Sequence, residues 1–385
     1  MSDSASIDKV LSELRHGHSC LLLNDNSAGG MIGFVVAAAE HCAADHIAFM
    51  ARQARGLVCL ALTPQRCAEL ELPLMVEGDD SLSPFTLSIE AATGIDTGIS
   101  AADRARTVQV AVDTASQPAD LVQPGYIFPI AAAAGGVLTR TAPAEAAIDL
   151  TTLAGLLPAA VFTEVLDAEG AVAGADYLMA FAERHQLVVG QVSDLVTYRL
   201  ANQKTIQAVR KGVLESRHGS FEITAYQDAT QGRIHLALKK GEIKADSPTL
   251  VRVHVTAVFR DLVGTTLDGH ASWSFDESLR AISEADAGVL VLLSKPETAE
   301  DLLHGIDRLL GEPEPESVAS PDAYNQIGMG AQILRDLGVG QIRLLGAPLK
   351  YNALAGFGLE VVDFCLLYTS PSPRDRSLSR MPSSA

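Results

Sequence analysis

The chain has 385 residues, of which 48% are hydrophobic and 20% charged, so it has the material for sizeable cores and is not mainly disordered. Its 29 basic and 47 acidic residues give a net charge of −18, which repels phosphate backbones and argues against general nucleic-acid binding. No run approaches the ~20 apolar residues of a membrane span, and MSDSASIDKVLSEL has no basic stretch leading into an apolar one, so neither a membrane anchor nor a signal peptide is expected.

At about 150 residues per domain, the length predicts two or three domains. Ile7, Val10, Leu11 and Leu14 share one face of a short amphipathic helix over 7–19. CLLLND (20–25) reads as a buried strand running into a turn. An Ala-rich helix over 40–55 follows, then strands at GLVCLAL (56–62) and TLSIEAA (86–92). A helix is predicted over 100–113, with Ser100 as N-cap and Asp103 in its first turn. GGVLTR reads as a strand and PAEAAIDLTTLAGL (143–156) as a helix. AAVFTEVLD (159–167) and HQLVVG (185–190) are strands flanking a helix at 174–184. Strands and helices mix without strict alternation, which predicts a layered α+β or α/β domain over roughly 1–200.

The segment 201–213, at the heart of the one locally basic stretch (RLANQKTIQAVRKGV), is expected to link two domains. HGSFEITAYQ and GRIHLALKKG follow as antiparallel strands, and LVRVHVTAVF (250–259) as another, within a second α/β domain over 214–364. EPEPESVASPD (312–322) is acidic and Pro-rich and reads as a loop. CLLYTSPSPRD (365–375) matches the peptide encoded by a common sequencing adapter read in frame, so 365–385 is set apart as an adapter remnant or a disordered tail. Cys20, Cys42, Cys59, Cys67 and Cys365 show no CxxC spacing and read as reduced thiols of a cytoplasmic protein.

Several blocks in order, among them FTLSIEAATGIDTGISAADRARTV, PADLVQPGYIFPI and EAAIDLTTLAGLLPAAVFTEVLD, resemble 3,4-dihydroxy-2-butanone-4-phosphate synthase over 7–199. RVHVTAVFRDLVG and IGMGAQILRDLGVGQIRLLGAPLKYNALAGFGLEVV resemble GTP cyclohydrolase II. The resemblance is thus to the bifunctional riboflavin-biosynthesis proteins that fuse the two. It implies an α/β/α layered synthase-like domain followed by a cyclohydrolase-like α/β domain, α+β in class overall. It also implies conversion of ribulose 5-phosphate to 3,4-dihydroxy-2-butanone 4-phosphate and formate, in which Mg²⁺ stabilises substrate oxygens and acidic groups move protons.

The chain departs from the family pattern where that chemistry sits. The family's acidic loop, D-D-E-D-R-E-N-E-G-D, aligns with residues 25–34. Asp25 survives, but the arginine position is Gly29, the metal-binding glutamate position is Gly30, and two further carboxylates are Ile32 and Phe34. The histidine ligand of G-H-T-E-A is Pro143, and the histidine of P-G-H-x-F-P is Tyr126. Neither glycine nor proline has a side chain that can ligate a cation. Asp25, Cys59 and Glu164 match catalytic positions, and Arg140, Asp103 and Thr107 match substrate-binding ones. Each has a structural alternative. Cys59 can be a small buried hydrophobe, Asp103 a charge answering a helix dipole, and Glu145 and Glu164 ion-pair partners. Arg140 has the fork geometry that binds a sugar phosphate. The Gly29–Gly33 stretch reads as a flexible turn rather than a phosphate loop, because it lacks the full motif. In the second half, the three cysteine positions of a cyclohydrolase zinc site are Ala257, Asp268 and His270, so no zinc is expected.

The expected function is a catalytically degenerate paralogue of the bifunctional enzyme with a regulatory, scaffold or ligand-binding role. The alternative is an active or residual synthase. No cofactor is expected, with Mg²⁺ reserved for the active alternative. The expected partners are a second copy or an active paralogue, as the family dimer implies, and a sugar phosphate or flavin as ligand.

Overall fold

The computed structural model describes residues 4–25, 30–76, 84–229, 232–265, 273–310, 321–346 and 357–365. The chain divides into two compact units, 1–203 with 318–325 and 204–317 with 326–385. No helix among the described residues is long and apolar enough to cross a membrane.

The first unit runs α1 (Ser4–Arg15), β1 (Cys20–Asp25), β2 (Met31–Ala38), α2 (Ala44–Phe49), β3 (Cys59–Leu62), α3 (Pro64–Glu69), β4 (Ile89–Ala91), α4 (Ala101–Val112), β5 (Leu121–Ala131), α5 (Pro143–Leu153), β6 (Ala159–Glu164), α6 (Ala175–His185), β7 (Val188–Gln191) and α7 (Val192–Asn202). The seven strands form one mixed sheet in the order β4-β5-β3-β6-β2-β1-β7. Residues paired across strands share a face. Leu21, Leu23, Val35, Ala37, Leu60, Leu62 and Val161 therefore look one way, into a core with Ile47, Val108 and Phe181 of α2, α4 and α6. The other face is crossed by α5, with α1 and α7 beside it. This is the expected three-layer arrangement.

The second unit runs β8 (Ile206–Ser216), β9 (Gly219–Asp228), β10 (Ile234–Lys240), β11 (Thr249–Val255), α8 (Phe275–Glu284), β12 (Gly288–Leu293), α9 (Ala299–Leu310), α10 (Pro321–Asp336), β13 (Gln341–Leu345) and β14 (Glu360–Cys365). Its sheet order is β14-β13-β11-β12-β10-β9-β8. The half from β12 to β14 is parallel, and the half from β8 to β10 is antiparallel. Phe221, Leu238, Ile282, Leu290 and Leu345 form its core.

Several sequence expectations need correction. The expected linker at 201–213 is helix up to Asn202 and then β8, which pairs with β9 from Ile206 onward. Its basic, exposed character is that of an edge strand. The Gly29–Gly33 stretch is not a turn throughout: Met31–Gly33 open β2, a strand missed in the sequence. Gly33 is required there, because a Cβ would lie 2.4 Å from Leu178 of α6. GGVLTR is not a strand but contains a 3₁₀ turn over Gly136–Leu138. The turn depends on Gly136, whose φ is +62° and whose Cβ, if present, would meet the Asp149 carboxylate at 2.1 Å. The tail boundary moves by one residue, since Cys365 closes β14 and its carbonyl accepts from Trp273 Nε1 at 2.9 Å. Residues 312–320 of the expected loop and 366–385 of the tail lie outside the described residues.

The turn before α5 is held by a buried ion pair. The Asp149 carboxylate accepts from the Val137 N–H at 2.8 Å and from Arg199 Nη1 at 2.7 Å. Arg199 also donates to the Gly135 carbonyl at 2.8 Å. Burial raises the Asp149 carboxyl above its ordinary range, against the pull of Arg199 and the Val137 N–H. Arg199→Ala leaves this carboxylate buried without its cation, which costs about 3 kcal/mol. Hydrogen exchange followed on peptides from 135–153 should report that loss, and unchanged protection would remove the pair from this role.

Candidate ligand-binding site

Strand register assembles one wall of a cavity. Phe34 of β2 lies directly across from Glu164 of β6, and Cys59 of β3 across from Phe162. All four side chains therefore face the α5 side of the sheet. Phe34 and Phe162 meet edge to face with ring centroids 6.2 Å apart. The opposite wall is the head of α5, with Ala142, Pro143, Ala144 and Glu145. Together they enclose a cavity of about 600 Å³, completed by Gly56, Leu57, Pro84, Phe85, Ile130, Arg140 and Leu166.

The sequence of α5 explains its head. Pro143 occupies the first helical turn, where a missing N–H is tolerated. Ala142 precedes it without a side-chain cap, and Glu145 supplies the acidic group of the first turn. Glu145 has no solvent exposure. Its Oε1 accepts from the Ala133 N–H at 2.7 Å and from Arg140 Nε at 2.8 Å, and Arg140 Nη2 also bonds it. Its Oε2 is buried with no hydrogen-bond partner. Across the cavity, burial raises the Glu164 carboxyl above its ordinary range. Burial, and secondarily Glu164, push the Cys59 thiol up to about 12, which makes it a poor nucleophile at neutral pH.

Thus Cys59, Arg140, Glu164 and the family metal position Pro143 line one cavity, while other expected site residues lie elsewhere. Asp25 is exposed at the end of β1, paired in the ladder with Met31, and is not among the lining residues. Asp103 and Thr107 serve the scaffold. The Asp103 carboxylate accepts from the N–H groups of Asp96, Thr97 and Gly98 at 3.0–3.2 Å. Thr107 Oγ1 accepts from the Ala91 N–H at 3.1 Å and donates to the Asp103 carbonyl at 3.0 Å. Gly30, the other family metal position, is exposed just before β2. Phe162, Leu57 and Phe85 were not singled out from the sequence, because only register and chain path bring them to the cavity. Asp149 was also missed, although two acids four residues apart in an Ala-rich helix are a legible signal.

At the two positions where the resemblance implies metal ligands, Pro143 and Gly30 supply no side-chain oxygen, and one oxygen of Glu145 already serves Arg140 and a backbone N–H. Among the described residues, no three His, Cys, Asp or Glu side chains are placed to hold a metal.

The second unit has its own buried polar cluster, at the C-terminal end of β11. His254 has no exposure, and its Nε2 lies 3.0 Å from Asp261 Oδ2. Asp261 also accepts from the N–H groups of Ala257 at 2.8 Å and Phe275 at 2.9 Å. Burial opposes ionisation of Asp261, but Arg260 and these two N–H groups outweigh it and hold the carboxyl well below its usual range. Burial, reinforced by Arg260, lowers His254 to about 4, so the imidazole is neutral. Ala257 offers a methyl group where the family places a zinc ligand, while Asp268 and His270 lie outside the described residues.

Comparison with known proteins places the chain. The 3,4-dihydroxy-2-butanone 4-phosphate synthase profile matches residues 8–198, and the GTP cyclohydrolase II profile matches 207–365. A 3,4-dihydroxy-2-butanone 4-phosphate synthase of Pseudomonas syringae pv. tomato is 44% identical over 359 residues, covering 93% of this chain and 97% of its own. The chain belongs to this synthase family. Riboflavin biosynthesis protein RibBA of Aquifex aeolicus is 36% identical, covering 96% of this chain and 94% of its own. The crystal structure of RibBX, a two-domain 3,4-dihydroxy-2-butanone 4-phosphate synthase from A. baumannii, matches with a TM-score of 0.79 at 36% identity. That match covers 94% of this chain and 99% of RibBX. The protein is therefore a two-domain, synthase-type member of the riboflavin-biosynthesis proteins.

The state of Cys59 is directly testable. Iodoacetamide at pH 8, followed by peptide mapping, should leave Cys59 unlabelled in the folded protein and label it in urea. Rapid labelling of the folded protein would contradict an inert thiol.

Proposed function

We propose that this chain acts in riboflavin metabolism as a ligand-binding, regulatory or scaffolding relative of the synthase, without turning over ribulose 5-phosphate. The observation that carries this reading is the cavity wall. Pro143 stands at the head of α5 and Phe34 is packed against Phe162 beside Glu164. The family resemblance puts a metal ligand at the first position and a carboxylate at the second. A proline ring cannot bind a cation, and a phenyl ring cannot move a proton. Formate release from ribulose 5-phosphate with Mg²⁺ should not exceed the blank, because one positioned proton-transfer group alone contributes ~10²–10⁴-fold. Turnover within about tenfold of an active relative would overturn the reading, since that is less than the contribution of one such group.

One observation favours the second reading, a residual synthase. Arg140, Glu145 and Glu164 still line a single cavity of ligand size, so part of a substrate-recognition set persists. On that reading, Gly29→Arg, Gly30→Glu, Ile32→Glu, Phe34→Asp and Pro143→His together raise a measurable wild-type rate. On the preferred reading they start from none.

The proposed setting is the cytoplasm, and the proposed assembly is a homodimer or a mixed oligomer with an active paralogue. Oligomers of one chain are most often two-fold, through self-complementary surfaces of shape and apolar contact that do not depend on catalytic side chains. Light scattering of the purified protein should give a dimer, and a strictly monomeric species at micromolar concentration would count against the scaffold role.

A further inference from the structure

Among the described strands of the second unit, β8 lies at one edge of the sheet, with β9 as its single neighbour. Only Arg217 and His218 separate β8 from β9. Ser216 pairs with Gly219 across that two-residue turn, which makes the two a hydrogen-bonded pair. Alternate residues of a strand aim their backbone groups at opposite sides. Ser216, Leu214 and Gly212 therefore bond to β9, while Lys211, Val213 and Glu215 turn their N–H and C=O groups outward. The ladder's irregularity, between Ala208 and Arg210, lies before this stretch and leaves it regular. Val213 is 68% exposed and Leu214 37%, and Lys211 and Glu215 are exposed as well. Outward backbone groups beside an exposed valine form a template for one more strand.

We infer that β8 pairs antiparallel with β8 of a second copy of this chain, about a two-fold axis at Val213, and so joins two of these sheets edge to edge. This gives the homodimer proposed above a surface, and rests on that part of the reading. A strand that pairs with itself about a two-fold axis makes a self-complementary contact, and the charges select its register. With the axis at Val213, Lys211 lies opposite Glu215 of the second copy, and Glu215 opposite the second copy's Lys211. The two Val213 side chains meet at the axis. Leu214 comes opposite Gly212, where a side chain is lacking and a Cβ would meet only Ile223, at 3.8 Å. An axis at Lys211 or at Glu215 sets like charges directly opposite, which is destabilising. An axis at Gly212 sets Lys211 against Val213, and one at Leu214 sets Lys211 against Arg217. A lysine ordinarily guards an edge strand against such pairing; in the register centred on Val213 a carboxylate answers it.

Cross-linking of the full chain tests the pairing. Under mild oxidation, Val213→Cys should give a covalent pair of chains, with the link mapped by mass spectrometry between the two copies of position 213, because directly opposed residues lie within disulfide reach. Val209→Cys should not link to itself, since its two copies would stand eight residues apart, about 27 Å at about 3.4 Å per residue. Wild type run alongside accounts for any link through Cys365, the one cysteine that is not buried. Lys211→Glu and Glu215→Lys, each alone, should weaken self-association about tenfold in sedimentation, because each sets like charges opposite one another in both halves of the contact. The two together restore the opposite-charge pairs and should restore association. The inference is overturned if Val213→Cys gives no self-link, if Val209→Cys links as readily, or if the double exchange associates no better than the single ones. The mass of the wild type separates the two failures. A dimer whose position 213 does not self-link sinks only this surface. A monomer at micromolar concentration leaves the edge to an unlike partner and sinks the homodimer with it.

Discussion

Glu145 carries a carboxylate with no access to solvent, and the geometry of the first domain's cavity follows from supporting that charge. An ionised carboxylate in a protein interior costs several kcal/mol unless it is paired and hydrogen-bonded. Here the support comes from Arg140, from the Ala133 N–H and from the dipole of α5. Two of these partners lie in the turn before the helix, so holding the charge also fixes the turn. That places Arg140 at the cavity rim and Pro143 on its wall. One helical turn on, Asp149 repeats the arrangement with Val137 and Arg199. The two acids, four residues apart on one face of α5, bind the turn at two points.

The facing wall follows from strand register. Once β2 pairs with β6 so that Phe34 lies across from Glu164, the two side chains share a face and a local environment. A phenyl ring beside a carboxylate removes water from it, which agrees with the direction in which Glu164 is shifted. An aspartate at position 34 would repel the same carboxylate unless a cation lay between them. The phenyl ring that stands there brings no such repulsion.

Elements fixed by local chemistry were legible in the sequence. Ser100 caps α4 by accepting the Asp103 N–H at 3.0 Å, as its spacing predicted. α1, α5, α6 and the apolar strands β1, β3 and β6 follow from periodicity and composition. The errors arose where a distant partner decides the local structure. GGVLTR has the composition of a strand, but Asp149 and Arg199, which lie 50 residues apart, bend it into a turn. The start of β2 looked like a glycine turn, because nothing nearby in sequence shows that Gly33 must admit Leu178. β8 looked like a linker because an exposed edge strand is allowed to be polar. At the site, Cys59, Arg140 and Glu164 line one cavity because strand register and the turn before α5 bring them there, whereas the scaffold role of Asp103 rests on loop amides that only the folded backbone aims at it.

Across both domains, four acidic residues share one physical duty. Asp103, Glu145, Asp149 and Asp261 each accept a hydrogen bond from a backbone N–H outside their own helical turn. Removing any of them leaves buried donors unpaired, so the fold itself requires them. At Ile32, Phe34, Pro143 and Ala257, by contrast, the side chain is apolar and satisfies no backbone group. Asp261 shows the distinction within a single turn. It holds His254, Ala257 and Phe275 together at the end of β11, while Ala257, bonded only through its backbone, needs nothing beyond a methyl group.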